Sequence, residues 1–144
     1  MKRIKKHLTV LMVMTILFSM LSVSTASAAT YINTFTVTAP TYISASTNLD
    51  KKCTVQMATS NAYSVGLTIY IEKEDPTKTN LFTVISSKTK SIGGLPTSFK
   101  EDYSFTGAFD KGIYRFKVVA YVYDKNGNVL QSDLRTSPTF SPYV

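Results

Sequence analysis

From residue 31 onward, apolar side chains alternate with hydroxyl or charged ones, and this period of two leaves almost no room for helices. In an extended strand successive side chains point to opposite faces, so alternation means one dry face and one wet one. The most regular run is residues 114–123. There Tyr114, Phe116, Val118, Ala120 and Val122 share one face, and Arg115, Lys117, Tyr121 and Tyr123 share the other. Residues 63–71 set Val65, Leu67, Ile69 and Ile71 inward, with Ser64, Gly66, Thr68, Tyr70 and Glu72 opposite. Residues 31–38, 53–59, 81–86, 99–105 and 129–134 repeat the pattern more briefly, and residues 42–46 resume an edge strand after the kink at Pro40.

Polar segments separate these runs. Residues 74–80 form a loop. Residues 88–97, with Gly93, Gly94 and Pro96, read as a flexible one, and Asn126-Gly127 marks a type I′ hairpin turn. The tail around Pro138 and Pro142 is extended or lies at an edge. Seven or eight short strands at this spacing predict an all-β antiparallel sandwich, with a closed barrel as the rival architecture.

The start of the chain has a different character. Lys2, Arg3, Lys5 and Lys6 precede an apolar run at residues 8–21, and Ala26-Ser27-Ala28 offers an A-x-A cleavage site. Thr9, Thr15 and Ser19 interrupt the run, which is also shorter than the roughly 20 apolar residues of a membrane span. Residues 1–28 therefore read as a secretory signal peptide, and residues 29–144 as a single domain. The strongly basic start resembles the export signals of Gram-positive bacteria. The expected location is extracellular, with association at the cell surface allowed. The net charge of the chain is +7, and losing the four basic residues of the signal leaves +3. That is too mild for nucleic acid, which calls for a concentrated basic stripe. It permits weak attraction to anionic wall polymers or lipid surfaces.

The residue inventory argues against catalysis. His7 is the one histidine and leaves with the signal, and there is no Trp. Without an imidazole to accept a proton, Ser-His-Asp and Cys-His nucleophiles are excluded, as are zinc and copper sites built on imidazole and thiolate. No metal or cofactor is expected. The one cysteine, Cys53, allows no internal disulfide, so the core alone must hold the fold.

Individual motifs add little to this. Ser87-Lys88-Thr89-Lys90 matches the S-x-x-K of penicillin-recognising enzymes but lacks its companion elements. Asp124-Lys125-Asn126-Gly127-Asn128 has its glycine too early for an EF-hand calcium loop. Glu72, Glu74 and Asp75, with Lys73 among them, read as a solvated acidic loop. Leu95-Pro96-Thr97-Ser98 lacks the glycine of a sortase signal. Glu101 and Asp102 are adjacent, so they face opposite sides of a strand and cannot act as a carboxylate pair. The chain reads as a non-enzyme.

Tyr114, Phe116, Val118 and Ala120, with Gly112 before them and Asp124 and Gly127-Asn128 after, resemble the penultimate strand of fibronectin type III domains and the G-x-Y…D-x-x-G-N run of PKD-type bacterial modules. The resemblance covers residues 105–130 and lies at the level of architecture, because the core Trp of those families is missing here. It implies an immunoglobulin-like sandwich. It also implies structural roles for three residues. Tyr114 would bond its hydroxyl back to the preceding corner. Phe116 would stand where disulfide-bearing relatives carry their second Cys. Cys53 would stand where they carry the first, as a buried, unpaired thiol facing Phe116.

Tyrosine is the notable excess, with nine residues. Tyr70, Tyr121 and Tyr123 lie opposite the apolar positions, beside Arg115 and Lys117. Outward tyrosines among cations and hydroxyls make a surface that can stack on sugars or pack against a protein, although cross-strand tyrosine pairs can also serve the sheet alone. The expected function is that of a secreted, non-catalytic binding protein acting through this face, its partner a protein or a cell-envelope polymer. The alternative is a membrane-active toxin or bacteriocin that would release residues 63–71 as a pore-forming segment.

Overall fold

The computed structural model describes residues 29–39, 51–106 and 110–141. Residues 1–28, expected to be a signal peptide, the short edge piece expected at residues 42–46 and Pro142 lie outside the described residues. Seven strands are present: β1 (Ile32–Thr38), β2 (Lys51–Thr59), β3 (Ser64–Glu74), β4 (Phe82–Ile92), β5 (Ser98–Phe105), β6 (Tyr114–Tyr123) and β7 (Val129–Thr136). They form two antiparallel sheets, ordered β1-β2-β5 and β4-β3-β6-β7. The chain is all-β and folds as a β-sandwich.

The alternation explains how the layers close. Cys53, Val55 and Met57 from β2 and Val65, Leu67, Ile69, Ile71, Phe116, Val118, Ala120 and Val122 from β3 and β6 form one buried cluster. Each large apolar side chain taken out of water there stabilises the fold by about 1.5–3 kcal/mol. At one flank β1 closes against β6 and β7, where the Gln131 side-chain oxygen accepts hydrogen bonds from the Tyr31 and Ile32 amides at 2.7 and 3.0 Å. The tail is extended, as expected, and also adds to the core. Phe140 bridges to Tyr114 and packs 5.1 Å from Phe116, centroid to centroid.

The flexible loop expected at residues 88–97 is strand as far as Ile92, and the brief strand at 81–86 is the front half of that same β4. The reason is coverage. β4 lies largely beyond the three-stranded sheet, so Ser86, Lys88 and Lys90, whose partners across β3 are the inward Ile71, Ile69 and Leu67, meet little of its apolar surface, and Lys88 reaches only its margin at Ser104 and Phe105. β4 is exposed almost throughout and lacks the apolar alternation that marks a covered strand. A bulge at Ile85 further shifts its phase. The type I′ turn at Asn126-Gly127 is also corrected. Gly127 has φ of 85°, while Asn126 is not left-handed. The Gly127 amide donates to the Asp124 carbonyl at 3.2 Å, giving a type I turn closed by a left-handed glycine.

Candidate functional site

The five residues expected to form a binding surface all lie on the outer face of the four-stranded sheet. Cross-strand register puts Tyr70 beside Lys117, Glu72 beside Arg115, and Gly66 beside Tyr121. On β4 the same face carries Ser87, Thr89 and Ser91, opposite Tyr70, Thr68 and Gly66. Although Arg115, Lys117, Tyr121 and Tyr123 share one face, they divide into two regions with different chemistry.

The first region is a closed charge cluster. Glu72 was expected in a solvated loop, but β3 continues through Glu74, and the Glu72 side chain is only 2% exposed. Its Oε2 accepts from Arg115 Nε at 2.8 Å, and its Oε1 is paired with Lys117 Nζ. The Arg115 guanidinium sits 3.9 Å above the Phe82 ring, and the Lys117 ammonium sits 5.1 Å from the Tyr70 centroid. Burial pushes the Glu72 carboxyl up, but the hydrogen bonds and charges of Lys117 and Arg115 outweigh it and hold it below its ordinary 4.5. Arg115, Lys117 and Tyr70 are therefore committed to Glu72 and to each other. Both cations are paired with the one carboxylate, while Arg115 and Lys117 keep 29% and 26% of their side-chain surface.

The second region is an open groove of about 330 Å³ crossing β4, β3 and β6, lined by residues that include Gly66, Thr68, Thr89, Ser91, Tyr121 and Tyr123. The Tyr121 and Tyr123 rings lie 6.4 Å apart with planes tilted by 33°. Gly66 supplies the floor. A Cβ there would meet Tyr123 Cε2 at 3.1 Å, so the missing side chain lets the ring lie down on the sheet. Sequence reasoning named the two tyrosines and missed Gly66, Thr68, Thr89 and Ser91 as their companions. The available signal was a lone glycine inside a strong strand pattern.

A second hollow, of about 380 Å³, adjoins Lys73, Glu74, Asp75 and Gly112. The charges of Lys73, Glu74 and Asp75 there are already occupied, and Lys111 also lines it. Lys73 Nζ is 2.6 Å from Asp110 Oδ2, Glu74 Oε1 accepts from the Asn80 amide at 2.6 Å, and Asp75 Oδ1 accepts from the Thr77 amide and hydroxyl.

The three structural residues are also placed. Cys53 and Phe116 belong to one core cluster and are fully buried, with the Cys53 thiol pushed up to about 12 by burial and by the charge of Asp102. The ring neighbours of Phe116 are Phe105, at 5.6 Å, and Phe140. The Tyr114 hydroxyl lies 2.8 Å from the Asp110 carbonyl oxygen. Beside Cys53 in the β2–β5 register stands Tyr103, whose hydroxyl is buried with no hydrogen-bond partner among the described residues.

The enzyme-like motifs fall apart in space. Ser87 and Lys90 project to opposite faces of β4, being three apart on a strand. The Asp124 carboxylate is consumed by its own turn, accepting from the Asn126 and Asn128 amides at 2.8 Å each. Residues 63–71, the segment a pore-former would have to release, include the centre of the larger sheet, bonded to β4 and to β6 with its inward face buried. No protein-family model matches the chain, and no curated protein matches it in sequence.

Proposed function

We propose that the protein is an exported, non-catalytic binding module of immunoglobulin-like fold, acting through the Tyr121–Tyr123 end of the outer sheet face on a protein or a cell-envelope polymer. Lettered A to G in chain order, the strands give sheets ABE and DCFG. These contain the ABE and CFG sets of the immunoglobulin architecture, with the fourth strand moved beside C. The bond from the Tyr114 hydroxyl to the corner before strand F supports the same reading. Export rests on the basic and apolar run before the A-x-A site.

The observation that carries the functional part is the groove itself. A glycine in mid-strand, two tyrosine rings tilted by 33° and a hydroxyl rim leave a concave, accessible patch, and the nearby Arg115 and Lys117 are paired with Glu72. The test is a pull-down with the protein as its host produces it, against wall fragments and secreted proteins of the same culture. Wild type should retain a component that Tyr121→Ala does not. Equal retention by both would remove the tyrosine face from consideration.

A further inference from the structure

We propose that the groove across β4, β3 and β6 seats an uncharged, β-1,4-linked glycan chain, with sugar faces stacked on Tyr121 and Tyr123. This rests on the reading of that face as the binding surface and names the class of its ligand.

Three features select a glycan. The first is charge. Besides Leu67 and Lys90, the groove is lined by Gly66, Thr68, Thr89, Ser91, Tyr121 and Tyr123, and none of these six is an acidic or basic residue. Lys90 borders it through the strand, but its partner is the inward Leu67, so its ammonium belongs to the other face. The neighbouring Arg115 and Lys117 are held by Glu72. An anionic polymer would find no free cation in this groove.

The second feature is the state of the backbone. β3 is hydrogen-bonded along both edges, to β4 and to β6. A peptide seated over β3 and β6 would find no main-chain edge to extend there, since the open edges of this sheet are the outer sides of β4 and β7, and its own amides and carbonyls would be desolvated without main-chain partners. A glycan has no such requirement.

The third feature is the pattern of polar atoms. Among the described residues, no hydrogen bond within the protein takes up the side-chain hydroxyls of Thr68, Thr89, Ser91, Tyr121 or Tyr123. Each hydroxyl can both donate and accept, which matches sugar hydroxyls and would be wasted on an apolar partner. A β-1,4-linked hexopyranose chain is a flat ribbon with C–H groups on its faces and hydroxyls along its edges. Two tyrosine rings side by side and tilted by only 33° offer a platform for such a ribbon, and the threonine and serine hydroxyls meet its edges.

The chain has no Trp, so its emission comes from nine tyrosines, two of them in the groove, and Tyr121→Ala identifies the share that responds to a ligand there. The protein is titrated with cellohexaose and with N-acetylchitohexaose, followed by tyrosine fluorescence and calorimetry, with polygalacturonate as the anionic comparison. At least one neutral hexasaccharide should bind saturably, with the same affinity at low salt and at about 0.5 M salt. Tyr121→Ala, at a position 37% exposed and so harmless to the core, should weaken that binding about tenfold or more. Gly66→Val, which lifts the Tyr123 ring, should do the same while far-UV dichroism stays that of wild type. Failure of both neutral sugars to bind overturns the assignment, as does binding that ignores Tyr121→Ala, or binding of the polyanion in their place. If the sugars fail but Tyr121→Ala still abolishes retention in the pull-down, the ligand class is wrong and the binding face stands. If Tyr121→Ala changes neither measurement, both fall.

Discussion

The Tyr114 hydroxyl reaches back four residues to the Asp110 carbonyl oxygen at 2.8 Å, with Asp110 Oδ1 also within 2.9 Å. This bond fixes the entry of β6, the strand that carries Phe116 inward and Arg115, Lys117, Tyr121 and Tyr123 outward. The corner is supported from outside. Lys73 Nζ pairs with Asp110 Oδ2 and lies 5.8 Å from the Tyr114 ring centroid. Gly112 makes room for it, because a Cβ there would stand 2.7 Å from Lys73 Cε.

Tyr114→Phe should cost about 1–2 kcal/mol, because the buried ring stays and only the hydroxyl bond goes. In urea the midpoint should fall while the slope is unchanged. Asp110→Ala should cost less, since the main-chain carbonyl that accepts the bond survives. A larger loss for Asp110→Ala than for Tyr114→Phe would mean that the ion pair with Lys73, not the tyrosine bond, holds the corner.

Glu72 makes the fold sensitive to acid. Its carboxyl sits below 4.5 when folded, so across the acid range the unfolded chain binds the extra proton. The stabilisation is then fully present above about pH 4.5 and is lost as pH falls through the folded value. Glu72→Gln should lose about 1–3 kcal/mol at neutral pH. That is less than for a fully buried pair, since Arg115 and Lys117 keep 29% and 26% of their side-chain surface. Denaturation curves of the two proteins should converge only as pH falls through the folded value, below 4.5, where wild-type Glu72 is itself neutralised. A difference that is constant with pH would refute the charge argument.

Legibility followed coverage. β3 and β6 are packed on their inner faces along their length, so Val65 to Ile71 and Tyr114 to Val122 alternate cleanly and could be placed from the chain alone. The second half of β4 could not, because Lys88 and Lys90 occupy inward positions that stay exposed, with only Lys88 reaching the end of β5. The outward direction of Arg115 and Lys117 was readable. Their pairing was not, because it depends on Glu72, which lies 43 residues from Arg115 and reaches it only through the register of two strands. The groove was half visible for the same kind of reason. Two tyrosines advertise themselves, but Gly66 matters only because the Tyr123 ring comes to rest on it.

Cys53 should behave as a core side chain. It is fully buried, and its thiol is held near 12, first by burial and then by Asp102. At neutral pH little thiolate is available for attack. A disulfide reagent should modify the native protein very slowly and the urea-unfolded protein at the rate of a free thiol. Cys53→Ser, which buries a hydroxyl in place of the sulfur, should destabilise by about 1–3 kcal/mol. Rapid modification of the native state would show that the sheets open at this point.

The uncovered inner face of β4 has a consequence for solubility. An exposed edge strand of this length is a template for pairing with another chain, and inward-pointing lysines and bulges are recognised ways of blocking it. β4 has both devices, the bulge at Ile85 and the pair Lys88 and Lys90. Lys88 also covers the gap beside β5, bonding the Ser104 carbonyl and lying 5.2 Å from the Phe105 centroid. Replacing both lysines with valine would extend the inward apolar row of β3 onto an open edge. The double variant should show concentration-dependent growth in sedimentation velocity and light scattering that wild type lacks. Lys90→Val alone, which spares the Lys88 contacts, should show a weaker form of the same growth. If the double variant sediments like wild type at every concentration, the bulge alone protects the edge and the lysines serve only to cover Phe105.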